Sequence, residues 1–434
     1  MKKRIIAGAM ALMMSVLLAA CGSTSASGTS VSAPEQEQNG DKIELVYWSM
    51  WNEAEPQGQI ITQAVAAYEQ ENPNVDIKIN WQGRDITKII GTKLEAGEKI
   101  DIFDSPVNTI LPITQDYAAD LTELYAKSYP TTNGKPYEEV VLPAMTEVTR
   151  TYSREGEINA VSYAPFIQCI FYNKDHFAQA GIDTLPTTWD ELMAACEKLK
   201  AAGYAPMTMD DAYMPALPGM YLARAKGSEW VSELVKTNSD EMWQDPAVLE
   251  MAQAYADMAA KGYFHPNTVS NVFPAGQQDL ANGQASMYLN ASWVVNELMP
   301  VTGEDFPWGQ MQFPTVPNGT GSANSANYGQ NAFVIHKDCE NIEEAFKFAV
   351  YLTTGEWDSK YAQATYSVPA GVDSEWPVQL TDAKEVFLSV DEWMPWSGGI
   401  EDNGDLVATI RTAFTELIGG QITPEQFVQR MVDM

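Results

Sequence analysis

The chain has 434 residues, 45% of them hydrophobic, which is enough to bury more than one core and predicts about two domains or lobes. Its 26 Lys and Arg stand against 58 Asp and Glu, a formal charge of −32. Such a field repels nucleic acid and anionic head groups and disfavours an anionic ligand unless a local basic pocket overrules it, although most of the charge reads as solvated acidic faces.

Lys2, Lys3 and Arg4 precede an apolar run from Ile5 to Ala20, short for a membrane span and right for a signal-peptide core. The run ends in Leu18-Ala19-Ala20-Cys21, which resembles the lipobox of bacterial lipoproteins. That resemblance implies cleavage before Cys21, acylation of Cys21 with diacyl and palmitate chains, and a lipid anchor at the outer face of the bacterial cytoplasmic membrane. The other reading of the same residues is an uncleaved anchor with Cys21 as an ordinary thiol. Residues 1–20 are then a signal peptide, and residues 21–41, rich in Gly, Ser, Thr, Glu and Gln, a flexible linker. Removing residues 1–20 takes three cations and no acid, leaving 23 Lys and Arg against 58 Asp and Glu, or −35. No second apolar run is long enough to span a bilayer, so the mature chain is expected to be soluble but tethered.

Ile43-Glu44-Leu45-Val46-Tyr47-Trp48 reads as a strand, followed by Ile61, Ala64, Val65 and Tyr68 at helical spacing up to Asn72-Pro73. Val75–Trp81 alternates as a second strand, and Ile100–Phe103 follows another helix as a third. Strands alternating with helices predict a parallel α/β sheet, whose ligands bind outside the carboxyl ends of the strands, where Trp48, Trp51 and Asp104 fall. A second α/β unit begins at Ile158–Pro165 and Cys169–Tyr172. Thr188 and Glu191 then have capping-box spacing ahead of a helix whose buried face carries Leu192, Cys196 and Leu199. Asp245-Pro246 and Thr423-Pro424 mark two further helix starts, and the C-terminal half is mostly helical. Cys169, Cys196 and Cys339 show no Cys-x-x-Cys spacing, and His176, His265 and His336 are isolated, so neither a metal nor another cofactor is expected.

Several stretches together resemble the extracellular solute-binding proteins of ATP-driven carbohydrate importers, the family that includes the maltose-binding proteins. They are Ile158–Val161 through Phe171–Phe177, Ala180–Asp183, Thr188–Leu192, Asn282–Met287 with Asn290–Trp293, Phe346–Leu352 and Val368–Ala370. The resemblance implies two α/β lobes, each a mostly parallel sheet flanked by helices, closing on a ligand about a hinge of three crossing segments. Carried over by motif, one lobe holds residues 42–165 and 328–370 and the other 166–327 and 371–434. It further implies a monomeric receptor, not an enzyme, that takes a carbohydrate to transmembrane permease subunits.

A sugar ring offers an apolar C–H face and a belt of hydroxyls, which flat aromatic rings and Asp, Asn, Glu or Gln can match. Residues three apart on a strand point to opposite faces, so Trp51, with Asn52 and Glu53 after it, is the expected cleft wall, and Trp48 is shared between cleft and core. Asp104 follows the third strand and reads either as a ligand contact or as a loop-capping aspartate. Trp293 matches the family tryptophan that lines the cleft, and Trp396 lies in a loop that reaches it in relatives. Asp210, Tyr328 and Tyr366 sit near strand ends or lobe crossings, and Phe166 begins a crossing. Trp189, in the first turn of a capped helix, reads as structural. Two other functions stay open: a receptor of the same fold for a peptide, polyamine or glycerol phosphate, and an extracellular glycoside hydrolase, for which Asp210/Asp211 and Glu401/Asp402 are the adjacent carboxylates.

Overall fold

The computed structural model describes residues 42–434. The signal peptide, Cys21 and the linker therefore lie outside the described residues. Strand β1 (Ile43–Ser49) buries Leu45 and Tyr47 completely and pairs in parallel with β2 (Val75–Trp81) and β3 (Ile102–Pro106). The helix between β1 and β2 spans Pro56–Glu71, and Ile61, Ala64, Val65 and Tyr68 lie on its buried face as their spacing predicts. The third strand starts two residues later than expected, because Asp101 is occupied at the edge of β1: its amide donates to Val46 O at 2.9 Å and its carboxylate accepts from Val46 N at 2.8 Å.

Of the two segments expected to open a second unit, Ile158–Pro165 and Cys169–Tyr172, all but Ile158, Asn159 and Ala160 fall in one long strand, β4 (Val161–Asn173), that serves both lobes. Val161–Tyr163 pair with the first sheet, and Gln168–Tyr172 with the second. Between them the register shifts across Ala164, at φ +44°, and Pro165, a bulge that re-aims the chain. Strands β5 (Ala205–Thr208), β6 (Ala285–Ala291) and β7 (Trp308–Met311) build the second sheet. The short β8 (Ser325–Ala326) precedes β9 (Tyr328–Ile335), and β8 pairs with β10 (Glu392–Trp393). The main sheet runs β2-β1-β3-β9-β4-β6-β5, with β7 beside β4. It is parallel at β2-β1-β3 and at β6-β5, and antiparallel where β4 and β9 pass between the lobes.

The caps form as their spacing predicts. Thr188 Oγ1 accepts from Glu191 N at 3.3 Å while Glu191 Oε2 accepts from Thr188 N at 3.1 Å, opening the helix Trp189–Ala201 with Leu192, Cys196 and Leu199 buried. Asp245 accepts from Ala247 N, and Thr423 caps Pro424–Val432. Trp189 packs into the second lobe, edge-on to Tyr221 at 5.0 Å and Tyr255 at 5.2 Å. No helix among the described residues is long and apolar enough to cross a membrane.

Candidate functional site

Two cavities open along the seam of the lobes and meet at Pro106, Phe166 and Trp293, which line both. The larger encloses about 860 Å³ and the smaller about 440 Å³, each within the range of small-molecule sites. The bulge in β4 brings the Phe166 ring into the junction. There it meets Trp293 edge-on at 4.8 Å, and Trp293 lies nearly parallel to Trp396 at 5.4 Å. Trp293 comes from the turn after β6 and Trp396 from the tight turn Trp396–Gly399, so separate parts of the chain supply the platform. All three rings are partly buried, which leaves apolar area open to the cleft.

Amides flank this platform. Asn327 Nδ2 donates to Met394 O at 3.0 Å and Gln330 Nε2 to Met145 O at 2.8 Å, whereas the buried Asn327 Oδ1 and Gln330 Oε1 have no partner among the described residues. Both residues line the larger cavity. In the smaller one the buried Tyr361 hydroxyl is likewise unpartnered. A buried polar atom left so costs about 1–3 kcal/mol.

Trp51 walls the smaller cavity. Its Nε1–H donates to Tyr163 Oη at 2.8 Å, and the Arg84 guanidinium lies 4.3 Å from its ring centroid. Arg84 is itself gripped by Glu55 through two bonds of 2.9 and 3.1 Å. Burial pushes the Glu55 carboxyl upward, but the bonds from Arg84 outweigh it and hold the group below its ordinary range. In the larger cavity Lys236 lies 3.3 Å from Asp402. Both cations lining the cleft are thus neutralised locally, while Glu229, Glu233 and Glu297 form no ion pair among the described residues. The arrangement suits a ligand with flat apolar faces, edge hydroxyls and no negative charge.

Residues 52–358 match the family model of the bacterial extracellular solute-binding protein. The chain belongs to this family. Over 363 residues this solute-binding protein is 24% identical to the multiple sugar-binding protein of Streptococcus mutans, spanning 80% of this chain and 77% of that one. It is also 24% identical over 230 residues to the sn-glycerol-3-phosphate-binding periplasmic protein of Rhizobium meliloti, 50% of this chain and 51% of that one. Among solved structures, a chitin oligosaccharide binding protein aligns with a TM-score of 0.64 at 22% identity, over 91% of this chain and 98% of that chain. That likeness carries the two-lobed fold.

The cleft of this solute-binding protein brings together Trp51, Phe166, Trp293, Tyr328, Tyr366 and Trp396. The other sequence candidates lie elsewhere. Trp48 is 5% exposed and lines neither cavity. The strand argument that set it opposite Trp51 does not apply, because β1 ends at Ser49 and Trp51 stands in the bend beyond it. Asn52 and Glu53 turn outward into solvent, since the Asn52 amide donates to Glu55 Oε2 at 2.8 Å and its carbonyl packs on Gly58 as the next helix begins. Asp104 is fully buried, with Met50 N at 2.7 Å on one oxygen and Tyr47 Oη at 3.0 Å on the other, which also accepts from Tyr163. Asp210 is equally buried and caps the helix Ala275–Ala281, accepting from Gly276 N, Gln277 N and Tyr288 Oη. Asn327, Gln330, Tyr361 and Arg84 are the cleft residues that sequence reasoning missed. Nothing in their local sequence distinguishes them, because their role depends on the pairing of β9 with β4 and on contacts between distant segments.

Proposed function

We propose that the protein is the receptor of an ATP-driven importer, capturing an uncharged sugar or oligosaccharide between its lobes and passing it unchanged to a membrane permease. The observation that carries this reading is the Phe166–Trp293–Trp396 platform, whose rings are partly open to the cleft. The sugar named for the Streptococcus relative and the chitin oligosaccharide named for the structural neighbour agree with it. The glycerol phosphate of the Rhizobium relative fits less well, because a phosphate needs an uncommitted cation and Arg84 and Lys236 are both paired. Hydrolysis is disfavoured because Asp210 is consumed as a helix cap and Asp402 is tied to Ser232 and Lys236.

We place the lobes at residues 42–165 with 328–370 and 166–327 with 371–434, joined where β4 and β9 pass between the sheets. Ligand contacts made with both lobes would favour the closed state. Cys21 would anchor the mature monomer to the outer face of the cytoplasmic membrane, and radiolabelled palmitate incorporated by the wild type and lost in Cys21→Ala tests the anchor. For the ligand, a thermal-shift screen compares neutral oligosaccharides, uronates, glycerol phosphate, polyamines and dipeptides. Stabilisation by a neutral sugar, with compaction in solution scattering, is expected. Stabilisation by glycerol phosphate or a dipeptide alone refutes the sugar assignment.

A further inference from the structure

We infer that Asp104 and Tyr163 are positioning residues for the Trp51 wall of the cleft, forming a two-link brace whose hold on the indole depends on the protonation state of Asp104. The importance of that wall for binding rests on reading the cleft as the ligand site; the brace itself is testable without a ligand.

Trp51 lies beyond the last residue of β1, so no ladder bond fixes it and its side-chain contacts set the ring. One face is covered by Arg84, and Nε1–H donates to Tyr163 Oη. The Tyr163 ring is stacked on Phe333 at 4.2 Å and 17°, which leaves it little freedom to turn. Its hydroxyl hydrogen goes to Asp104 Oδ2, so the phenol oxygen presents a lone pair to the indole. The same carboxylate accepts from Tyr47 Oη on Oδ2 and, on Oδ1, from the amide of Met50, the residue preceding Trp51. Asp104 therefore fixes both the backbone that carries Trp51 and the acceptor that aims it.

Three donors converge on Asp104, a satisfied arrangement only while the carboxyl is a pure acceptor. A proton turns one oxygen into a donor and weakens the carboxyl as an acceptor. Tyr47 Oη can then turn to Ser49 Oγ, 3.2 Å away, whereas the Tyr163 hydroxyl has no second acceptor among the described residues, so its link to the indole is the one that changes. Burial pushes this carboxyl up to about 6, against the hydrogen bonds that favour its ionised form. The titratable groups facing it are Tyr47 from β1, Tyr163 from β4 and Tyr361 from the helix Gly355–Thr365, all displaced upward, away from neutrality. Arg84 and Glu55 stand across Trp51, with Glu55 below its ordinary range. Asp358, on the helix of Tyr361, is also pushed by burial to about 6, so a variant must separate the two carboxyls.

In the 15N-labelled protein, the indole N–H resonance of Trp51, assigned by its loss in Trp51→Phe, is followed from about pH 8 to about pH 4.5. It is expected to move with a midpoint near 6, to lose that movement in Asp104→Asn, and to be displaced at every pH in Tyr163→Phe, which keeps the stacked ring. Should Asp104→Asn fail to fold, Asp358→Asn and Tyr163→Phe carry the test: the movement near 6 is expected to survive the first, which removes the other carboxyl of similar position and leaves the brace intact. The affinity for the tightest binder among cello-, malto-, xylo- and chito-oligosaccharides is expected to fall about fivefold in Tyr163→Phe. A resonance indifferent to both pH and Tyr163→Phe overturns the brace, whether or not any sugar binds. Unchanged sugar affinity in Tyr163→Phe overturns the positioning role. If the resonance behaves as expected and no sugar binds, the brace stands and the sugar reading of the cleft falls.

Discussion

Two tryptophans show how differently the same side chain is used. Trp293 is partly open and touches Phe166 and Trp396 across the junction of the cavities, whereas Trp189 is 5% exposed within a cage of Tyr221 and Tyr255. Trp293→Ala is expected to weaken sugar binding by about tenfold or more while moving the melting temperature by only about 2 °C. Trp189→Ala is expected to cost about 3–5 kcal/mol of stability with the affinity of the folded fraction unchanged. Calorimetric titration and thermal unfolding of both variants check the dissociation. The two roles were legible in the sequence for separate reasons: Trp189 follows a capping threonine, and Trp293 sits in a family motif. Asn327, Gln330 and Tyr361 were not legible, because what distinguishes them is a buried atom without a partner among the described residues, a property of packing. Asp104 stayed open between a ligand contact and a loop cap for a related reason. A carboxylate just past a strand end suggests a ligand contact, and only the fold reveals the Tyr47 and Tyr163 hydroxyls and the Met50 amide that satisfy it from within.

At the scale of elements, helix starts and the first strands followed from local chemistry, since caps and alternation act within a few residues. Strand β4 did not. Its run Val161–Asn173 contains Pro165, and proline inside a strand ordinarily argues for a break. Here the proline falls in a bulge, where no ladder amide is required, and the strand resumes on the other lobe. The partner strand accommodates the bulge through Gly329, where an added Cβ would stand 2.7 Å from Phe166 Cζ. The backbone of β9 is held at Gly329 by its pairing with Phe166 of β4 and two residues on by β3, so the ring yields, toward Trp293 4.8 Å away. Gly329→Ala is therefore expected to weaken sugar binding and shift tryptophan fluorescence at a stability cost of about 1–3 kcal/mol. Unaltered affinity would show that the Phe166 ring does not set the shape of the junction.

For the whole molecule the governing quantity is charge. At −32 the chain repels itself, which disfavours the compact state at neutral pH and is relieved as carboxylates take up protons. Asp104 and Asp358 act in the same direction. Burial raises both to about 6, above the 3.8 of an unperturbed aspartate. Between those values the folded state holds protons that the unfolded state has released, so stability rises as pH falls through 6 and the gain is complete near 3.8. Each group contributes on the order of 3 kcal/mol once that rise is complete. Opposing them are Glu55 and Asp245, held low by Arg84 and Lys226, whose contributions are present above the unfolded value and vanish on further acidification. The melting temperature should accordingly climb from about pH 8 to a maximum near pH 5 and fall below about pH 4. Salt separates the two causes of the climb. Because screening weakens repulsion between exposed charges and barely touches a buried carboxyl, about 0.5 M NaCl should raise the melting temperature more at pH 8 than at pH 5. The part of the climb that survives in high salt belongs to the buried carboxyls, Asp104 and Asp358 together with Glu297 and Glu401, which burial also raises, and its disappearance there would show that Asp104 and Asp358 are not displaced upward in the folded protein.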